Sequence, residues 1–274
     1  MQLEKAAGAL GAYITGINLA EAATSETLFA EVHAALIEHE VLFFRDQHLE
    51  PLEYQTFARR FGRVEGHPAY PTVPGAADVQ VLESTAEAPT KIESWHSDMT
   101  FRPEPPALTL LHGRVIPVYG GDTMWASATA AYDALSETLR KLLDGLGAVH
   151  DFRQGFRESI AEPGGAERLA DAIAENPPVI HPLIRTHPES GRRAIFVNRL
   201  FTSRIEGLSI PESDALLEFL YQHLVIEEHT VRLRWRPDTV AIWDNRSTQH
   251  KPVNDFFPQH RKMFRITIAG DVPT

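Results

Sequence analysis

Two histidines and one carboxylate carry the chemistry that this sequence could do. His96 and Asp98 stand two apart in Trp95-His96-Ser97-Asp98-Met99-Thr100-Phe101, and His250 closes the distant segment Trp243-Asp244-Asn245-Arg246-Ser247-Thr248-Gln249-His250. Such a set holds ferrous iron on one face of an octahedron and leaves the remaining positions open for a cosubstrate and oxygen. In extended chain, residues two apart point to one side. His96 and Asp98 can therefore approach one ion from a strand or strand end while Ser97 faces away. The third ligand must come from a neighbouring strand, and His250 follows a strong strand candidate at residues 238–244 that is flanked by turn signals.

The triplet alone is a weak signal. With 13 His and 37 acidic residues in 274, roughly two His-x-acid triplets arise by chance. Three occur. His48-Leu49-Glu50 lies at the mouth of a predicted helix and His187-Pro188-Glu189 in a turn before Gly191, so both read as surface punctuation. Only His96-Ser97-Asp98 sits in an aromatic, partly apolar segment. Zinc accepts the same ligands. The residues by themselves thus leave three readings open: an iron oxygenase, a zinc hydrolase, and a barrel that binds a small ligand without turnover.

Composition narrows the classes. The chain is long enough to bury a substantial core, no composition break divides it, and a single domain over residues 1–274 is expected. Zero cysteines exclude disulfides, thiolate metal sites and a cysteine nucleophile. A formal charge of −11 argues against nucleic acid as a partner. It leaves room for a small anionic organic substrate, because a few clustered arginines set the potential of one pocket. No apolar run reaches the length of a membrane helix and no signal core opens the chain, so a cytoplasmic protein without a membrane partner is expected. A homo-oligomer stays open.

Elements able to position these residues are legible. Helical periodicity marks residues 25–38, 51–61, 128–135, 137–143, 165–174 and 211–224, strands are expected at 11–19, 41–44, 79–82, 179–185, 194–198, 231–236, 239–244 and 263–269, and residues 108–118 form a long apolar run. Strands dominate the second half without regular β-α alternation. That predicts an α+β fold with an antiparallel barrel or jelly roll inside a layer of helices, rather than a doubly wound sheet. A second constellation, Arg261 and Arg265, flanks the start of the last strand. Arginine's planar fork matches a carboxylate or sulfonate in two bonds, and a strand so soon after His250 is expected to lie beside it.

With these residues in view, the chain resembles the taurine dioxygenase family of iron(II)- and 2-oxoglutarate-dependent oxygenases along nearly its entire length. The matching blocks, in order, are VLFFRDQ (Val41 to Gln47), HPAYP (His67 to Pro71), WHSDMTF, GGDTMWAS (Gly120 to Ser127), RTHPESGRRAIFVN (Arg185 to Asn198), AIWDNRSTQH (Ala241 to His250) and RKMFRITIAGD (Arg261 to Asp271). The resemblance implies a double-stranded β-helix in which His96, Asp98 and His250 bind Fe(2+). It further implies that Thr123 and Arg261 hold the distal carboxylate of 2-oxoglutarate, and that O2 is the oxidant. His67, Tyr70 and Arg265 match substrate contacts, with His67 and Arg265 at the sulfonate, and Trp95, Phe156 and Phe201 match aromatic positions around that pocket. Asp244, Asn245 and Arg246 are taken as structural hydrogen bonders. Because Asp98 is present, a halogenase arrangement is disfavoured.

The departures concern the substrate. Where the family's taurine enzyme has an acidic residue and an asparagine near the taurine amine, this chain has Lys91 and Ile92. A lysine repels an ammonium and an isoleucine offers it no acceptor. Arg199-Leu200 before Phe201 and Lys251-Pro252 after His250 differ as well. The expected activity is hydroxylation of a small organic anion, first a sulfonate, with an alkyl sulfate ester or a carboxylate as alternatives, and release of succinate and CO2.

Overall fold

The computed structural model describes residues 1–66, 70–89 and 92–274. His67 and Lys91, both singled out above, lie outside the described residues. The strands are β1 (Gln2–Lys5), β2 (Ala12–Thr15), β3 (Val41–Phe44), β4 (Thr72–Val73), β5 (Ala76–Ser84), β6 (Leu108–Val115), β7 (Thr123–Ser127), β8 (Gly147–His150), β9 (Val179–Pro182), β10 (Ile184–Thr186), β11 (Arg193–Ile195), β12 (Thr202–Ile205), β13 (Thr230–Leu233), β14 (Val240–Asp244), β15 (Thr248–Pro252) and β16 (Arg261–Ile268). The helices are α1 (Leu19–Ala22), α2 (Glu26–His39), α3 (Pro51–Arg59), α4 (Ala128–Ala134), α5 (Glu137–Leu143), α6 (Phe152–Gly155), α7 (Arg157–Ala161), α8 (Gly165–Arg168), α9 (Ala170–Glu175) and α10 (Ile210–Leu224). None of the described helices is long and apolar enough to cross a membrane.

An eight-stranded sheet of order β1-β2-β3-β14-β6-β16-β5-β4 faces a three-stranded sheet of order β13-β7-β15. Side-chain alternation explains both layers of core. Val41 and Phe43 of β3, Ala241 and Trp243 of β14, Leu111 and Met263 point to the small sheet and meet Trp125, Val231 and Leu233. Their neighbours Leu42, Phe44, Val240 and Ile242 point the other way and pack under α1, α2 and α3. A strand covered on both faces needs an unbroken apolar run, which is why β3 reads VLFF instead of alternating. The two facing sheets with flanking helices form the expected jelly-roll core.

Local signals set the helix ends. Ser25 caps α2 by accepting the Leu28 N–H, and capping boxes start α3 at Glu50 and α10 at Ser209. Two expected elements are broken. Residues 165–174 form α8 and α9 separately, with Leu169 out of helical geometry between them (φ −102°, ψ 7°), and the bend lets Ala172 and Ile173 of α9 reach an aromatic cluster. Residues 179–185 split at Leu183 because β9 pairs with β8 while β10 pairs with β11.

His187 is not surface punctuation, whereas Glu189 is exposed as expected. The turn before Gly191 exists as the β10–β11 hairpin, but it folds His187 inward until its side chain is buried. Glu189 and Ser190 donate their N–H groups to His187 Nδ1, so Nε2 carries the proton and donates to Asp244 Oδ2 at 3.0 Å. Asp244 also accepts from Arg246 Nη2 at 2.6 Å, and Arg246 reaches Glu189 Oε1 at 2.7 Å. Asp244 and Arg246 are thus the structural hydrogen bonders expected, and they fix the turn from β14 into the strand bearing His250. Burial alone would raise the Asp244 pKa, but the guanidinium of Arg246 and the bonds from Arg246 and His187 hold it well below the carboxylate range.

Arg246→Ala leaves this carboxylate buried without its cation, and a loss of about 3–5 kcal/mol of stability is expected in chemical denaturation. Because the folded pKa is depressed, the contribution exists above the unfolded value and fades as pH falls. The gap between wild type and variant should therefore narrow in acid.

Candidate metal centre and its flanking arginines

A single β-bridge between β15 and the distant segment that links β5 to β6 brings the two histidines together. His96 N–H donates to His250 O at 3.0 Å and His250 N–H to His96 O at 2.7 Å, leaving their rings 4.2 Å apart. Past the bridge the chain turns at once, with Met99 in the left-handed region (φ 43°), so Asp98 approaches from a strand end. Its Oδ1 lies 3.9 Å from Nε2 of each histidine. Three ligand atoms, one from each of His96, Asp98 and His250, lie within 4.8 Å of one another, and no other such group occurs among the described residues.

Hydrogen bonds aim these atoms. His96 Nδ1 donates to Ser94 O at 2.9 Å, which leaves Nε2 with its lone pair. Thr109 on β6 donates to Asp98 Oδ2 at 2.6 Å and so turns Oδ1 towards the histidines. Asn245 in turn donates to Thr109 Oγ1 at 2.9 Å and accepts from Trp243 Nε1 at 3.0 Å. Burial pushes both imidazoles down, His250 to about 3, with His96 adding to the effect and Asp98 opposing it. Burial would raise Asp98, yet His250, Arg265, His96 and Thr109 together hold it at about 2. At neutral pH the set is two neutral imidazoles and one carboxylate, each with a free lone pair, and that is the protonation state a divalent metal requires. The donors fit Fe(2+).

The arginine strand corrects one expectation. β16 does not lie beside β15; it belongs to the large sheet, between β6 and β5, while β15 pairs with β7 in the small one. Facing sheets, not neighbouring strands, unite the two constellations. Arg261 and Arg265 share a face with Met263, whose side chain lies in the core between the sheets.

Arg261 is held but not neutralised. Its Nε donates to Gly121 O at 3.2 Å, and among the described residues it makes no ion pair. Gly121 has φ +69°, and a Cβ there would stand 3.3 Å from Arg261 Cδ, so the close approach needs glycine. Burial lowers the Arg261 pKa to about 10 against the raising effect of Asp122. Thr123 is placed nearby by Trp235, whose Nε1 donates to Thr123 Oγ1 at 2.9 Å while its ring lies 6.0 Å from the Arg261 guanidinium carbon. A desolvated guanidinium beside a buried hydroxyl is a receptor for a carboxylate.

Arg265 lies nearer the triad, and its charge contributes to lowering the pKa values of all three triad residues. It donates to Gln80 Oε1 at 3.3 Å, stacks over Tyr70 at 4.9 Å, and keeps Nε buried without a hydrogen bond. Phe201 stands edge-on to His96 at 6.5 Å and to Phe101 at 5.0 Å. Phe156 is one ring further back, stacked on Phe152 at 4.2 Å and 6.4 Å from Phe101, and Trp95 is half-buried. Ile92 faces Asn254 through its carbonyl, which accepts at 2.9 Å. Of the residues that differ from the family pattern, Arg199 is not in the pocket, because it pairs with Glu218 on the surface.

Asn245 is the structural hydrogen bonder expected of a polar residue at a strand end. Sequence reasoning missed Thr109 and the role of Phe101; Thr109 left no trace, since a threonine in an apolar strand is ordinary β chemistry.

The profile of the family described as "Taurine catabolism dioxygenase TauD, TfdA family" matches residues 2–267. The chain belongs to this family. It is similar to the alkylsulfatase of Acinetobacter baylyi, at 40% identity over all of this chain and 86% of the relative. It is also similar to the alpha-ketoglutarate-dependent sulfate ester dioxygenase of Pseudomonas putida, at 38% identity over all of this chain and 91% of that protein. A solved taurine dioxygenase from Burkholderia xenovorans superposes with a TM-score of 0.85 at 35% identity, covering all of this chain and 90% of that one. The protein is thus an iron(II)- and 2-oxoglutarate-dependent dioxygenase that acts on a small organic anion.

Thr109→Val removes the bond that orients Asp98 without changing side-chain size. Ferrous affinity, measured by anaerobic titration, should fall roughly 10–100-fold, and an unchanged affinity would show that Asp98 needs no such support.

Proposed function

We propose that this enzyme, as one catalytic domain over residues 1–274, hydroxylates an alkyl sulfate ester on the carbon next to the ester oxygen. The observation that carries the reading is Arg265, a guanidinium with a buried, unbonded Nε beside the triad. Arg265 itself meets Gln80 and Tyr70, while Phe201 of the apolar cluster Met99, Phe101, Phe152 and Phe201 stands against His96 of the triad. An anionic head with an apolar tail matches both. The relatives named for sulfate esters favour that head over a sulfonate, and Ile92 in place of an acceptor argues against taurine's ammonium. The pairing of strands from both ends of the chain in one sheet supports a single domain.

In this reading His96, Asp98 and His250 hold the iron, which couples decarboxylation of 2-oxoglutarate by O2 to replacement of a substrate hydrogen by hydroxyl. Arg261 and Thr123 hold the distal carboxylate of the keto acid, so that its reactive end faces the triad. Arg265 takes the sulfate, with Tyr70 against its guanidinium, and the family resemblance assigns His67 to the same anion. Phe201, Phe156 and Trp95 shield the reacting carbon from water. The product carries hydroxyl and sulfate on one carbon. It breaks its carbon–oxygen bond to sulfate as the hydroxyl proton leaves, giving an aldehyde and inorganic sulfate.

The test is turnover of hexyl sulfate, hexanesulfonate and taurine with Fe(2+) and 2-oxoglutarate, following succinate, sulfate, sulfite and aldehyde. Hexyl sulfate should give succinate, sulfate and aldehyde in equal amounts; preference for hexanesulfonate with sulfite release would move the assignment to sulfonates. Arg261→Ala should weaken 2-oxoglutarate binding by about 3–5 kcal/mol, the scale for removing a buried charge partner. Arg265→Ala should raise KM for the sulfate instead, and equal damage to both ligands by either variant would contradict the division of roles.

A further inference from the structure

One position with no room for a side chain lies behind the pocket. An ideal Cβ on Gly155 would stand 2.4 Å from Phe201 Cε1 and 2.6 Å from Cδ1, with Leu200 O at 3.3 Å. Real Cβ atoms are not found at such distances from ring carbons, so the ring of Phe201 occupies the space that a side chain at residue 155 would take. Gly155 ends α6 and its φ is not in the left-handed region, so its backbone does not require glycine. The requirement is only for room.

Phe201 cannot make that room by moving its backbone. Its N–H donates to Asn198 Oδ1 at 2.9 Å, and its carbonyl accepts from Asp151 N–H at 2.8 Å. Asn198 is itself tied to Thr100 Oγ1 at 2.9 Å, in the turn that follows Asp98. The ring is 5% exposed, and His96, Asp98 and His250 keep 4, 7 and 9%. The ring stands edge-on to His96 at 6.5 Å and to Phe101 at 5.0 Å, so a ring pushed off Gly155 has to shift against these two neighbours.

We propose that Gly155 is a specificity-determining residue. By leaving a recess for the edge of Phe201, it holds that ring back from His96 and sets how much bulk a substrate can carry beside the carbon that is hydroxylated. The proposal rests on the alkyl sulfate reading for the choice of probes, but not for its geometry.

The experiment compares kcat/KM for cyclohexylmethyl sulfate and ethyl sulfate, which share the reacting CH2 and differ in bulk beside it. In Gly155→Ala the ratio of bulky to small should fall about tenfold, the lower range for one methylene in a tight pocket. The anaerobic visible band of the iron and 2-oxoglutarate complex should persist. Adding Phe201→Leu to Gly155→Ala should restore the ratio, because the shorter side chain vacates the recess. Phe201→Leu alone, which needs no space at residue 155, should raise the ratio above wild type and keeps the test decisive if Gly155→Ala folds poorly. An unchanged ratio in Gly155→Ala, or no rise in Phe201→Leu, would overturn the proposal. If wild type turns over neither sulfate, the substrate reading fails, and the same comparison is made with cyclohexylmethanesulfonate and ethanesulfonate.

Discussion

The Asp98 carboxylate is the constraint on which the rest of this structure depends. It is buried, it is ionised throughout the neutral range, and its neighbours at 3.9 Å are two imidazoles that burial keeps uncharged. An anion in that position is costly unless a cation completes it. The field of Arg265 stabilises it from a distance, and Thr109 saturates one oxygen. The other oxygen and two imidazole lone pairs converge with no protein cation between them. A divalent metal answers that geometry, and the hydrogen bonds of His96 to Ser94 and of Asp98 to Thr109, the latter backed by Asn245 and Trp243, keep the ligands in place.

Around that centre the protein distributes positive charge. Arg261 and Arg265 stand four residues apart on one face of β16, so one strand presents two guanidiniums to the same interior space. Neither is neutralised among the described residues. They differ in surroundings: Arg261 is backed by Gly121, Thr123 and Trp235, whereas Arg265 shares its space with Tyr70 and Gln80. Two guanidiniums on one face of a strand, in different surroundings, suit two different anions. The large sheet supplies both arginines and Thr109, and the small sheet supplies His250 and Thr123. The site therefore exists only because the sheets face each other across the Trp125 and Trp243 core.

Much of this was legible in the sequence, for physical reasons that can be named. The run VLFF announces a strand buried on both faces, the periodic segments from Ser25 and from Pro211 announce helices, and the order of blocks from Val41 to Asp271 identifies the family. The metal ligands were legible because a His-x-Asp triplet in an aromatic setting has few structural uses. What stayed hidden depends on contacts between distant segments. His187 looked like a turn residue because the hairpin signal at Gly191 says nothing about which way the hairpin folds. The position of β16 was misjudged because closeness in sequence favours neighbouring strands, whereas a jelly roll sends successive strands to opposite sheets. Thr109 and Gly155 act only through partners far along the chain, and no spacing rule reports on them.

The most direct measurement is anaerobic absorption spectroscopy of the purified protein titrated with Fe(2+) and then 2-oxoglutarate. A weak visible charge-transfer band should grow in and saturate at one ferrous ion per chain, and it should be abolished in Asp98→Ala. Tight binding of a metal with no band on adding 2-oxoglutarate, or a band that survives Asp98→Ala, would contradict the convergence of His96, Asp98 and His250 on a single catalytic iron.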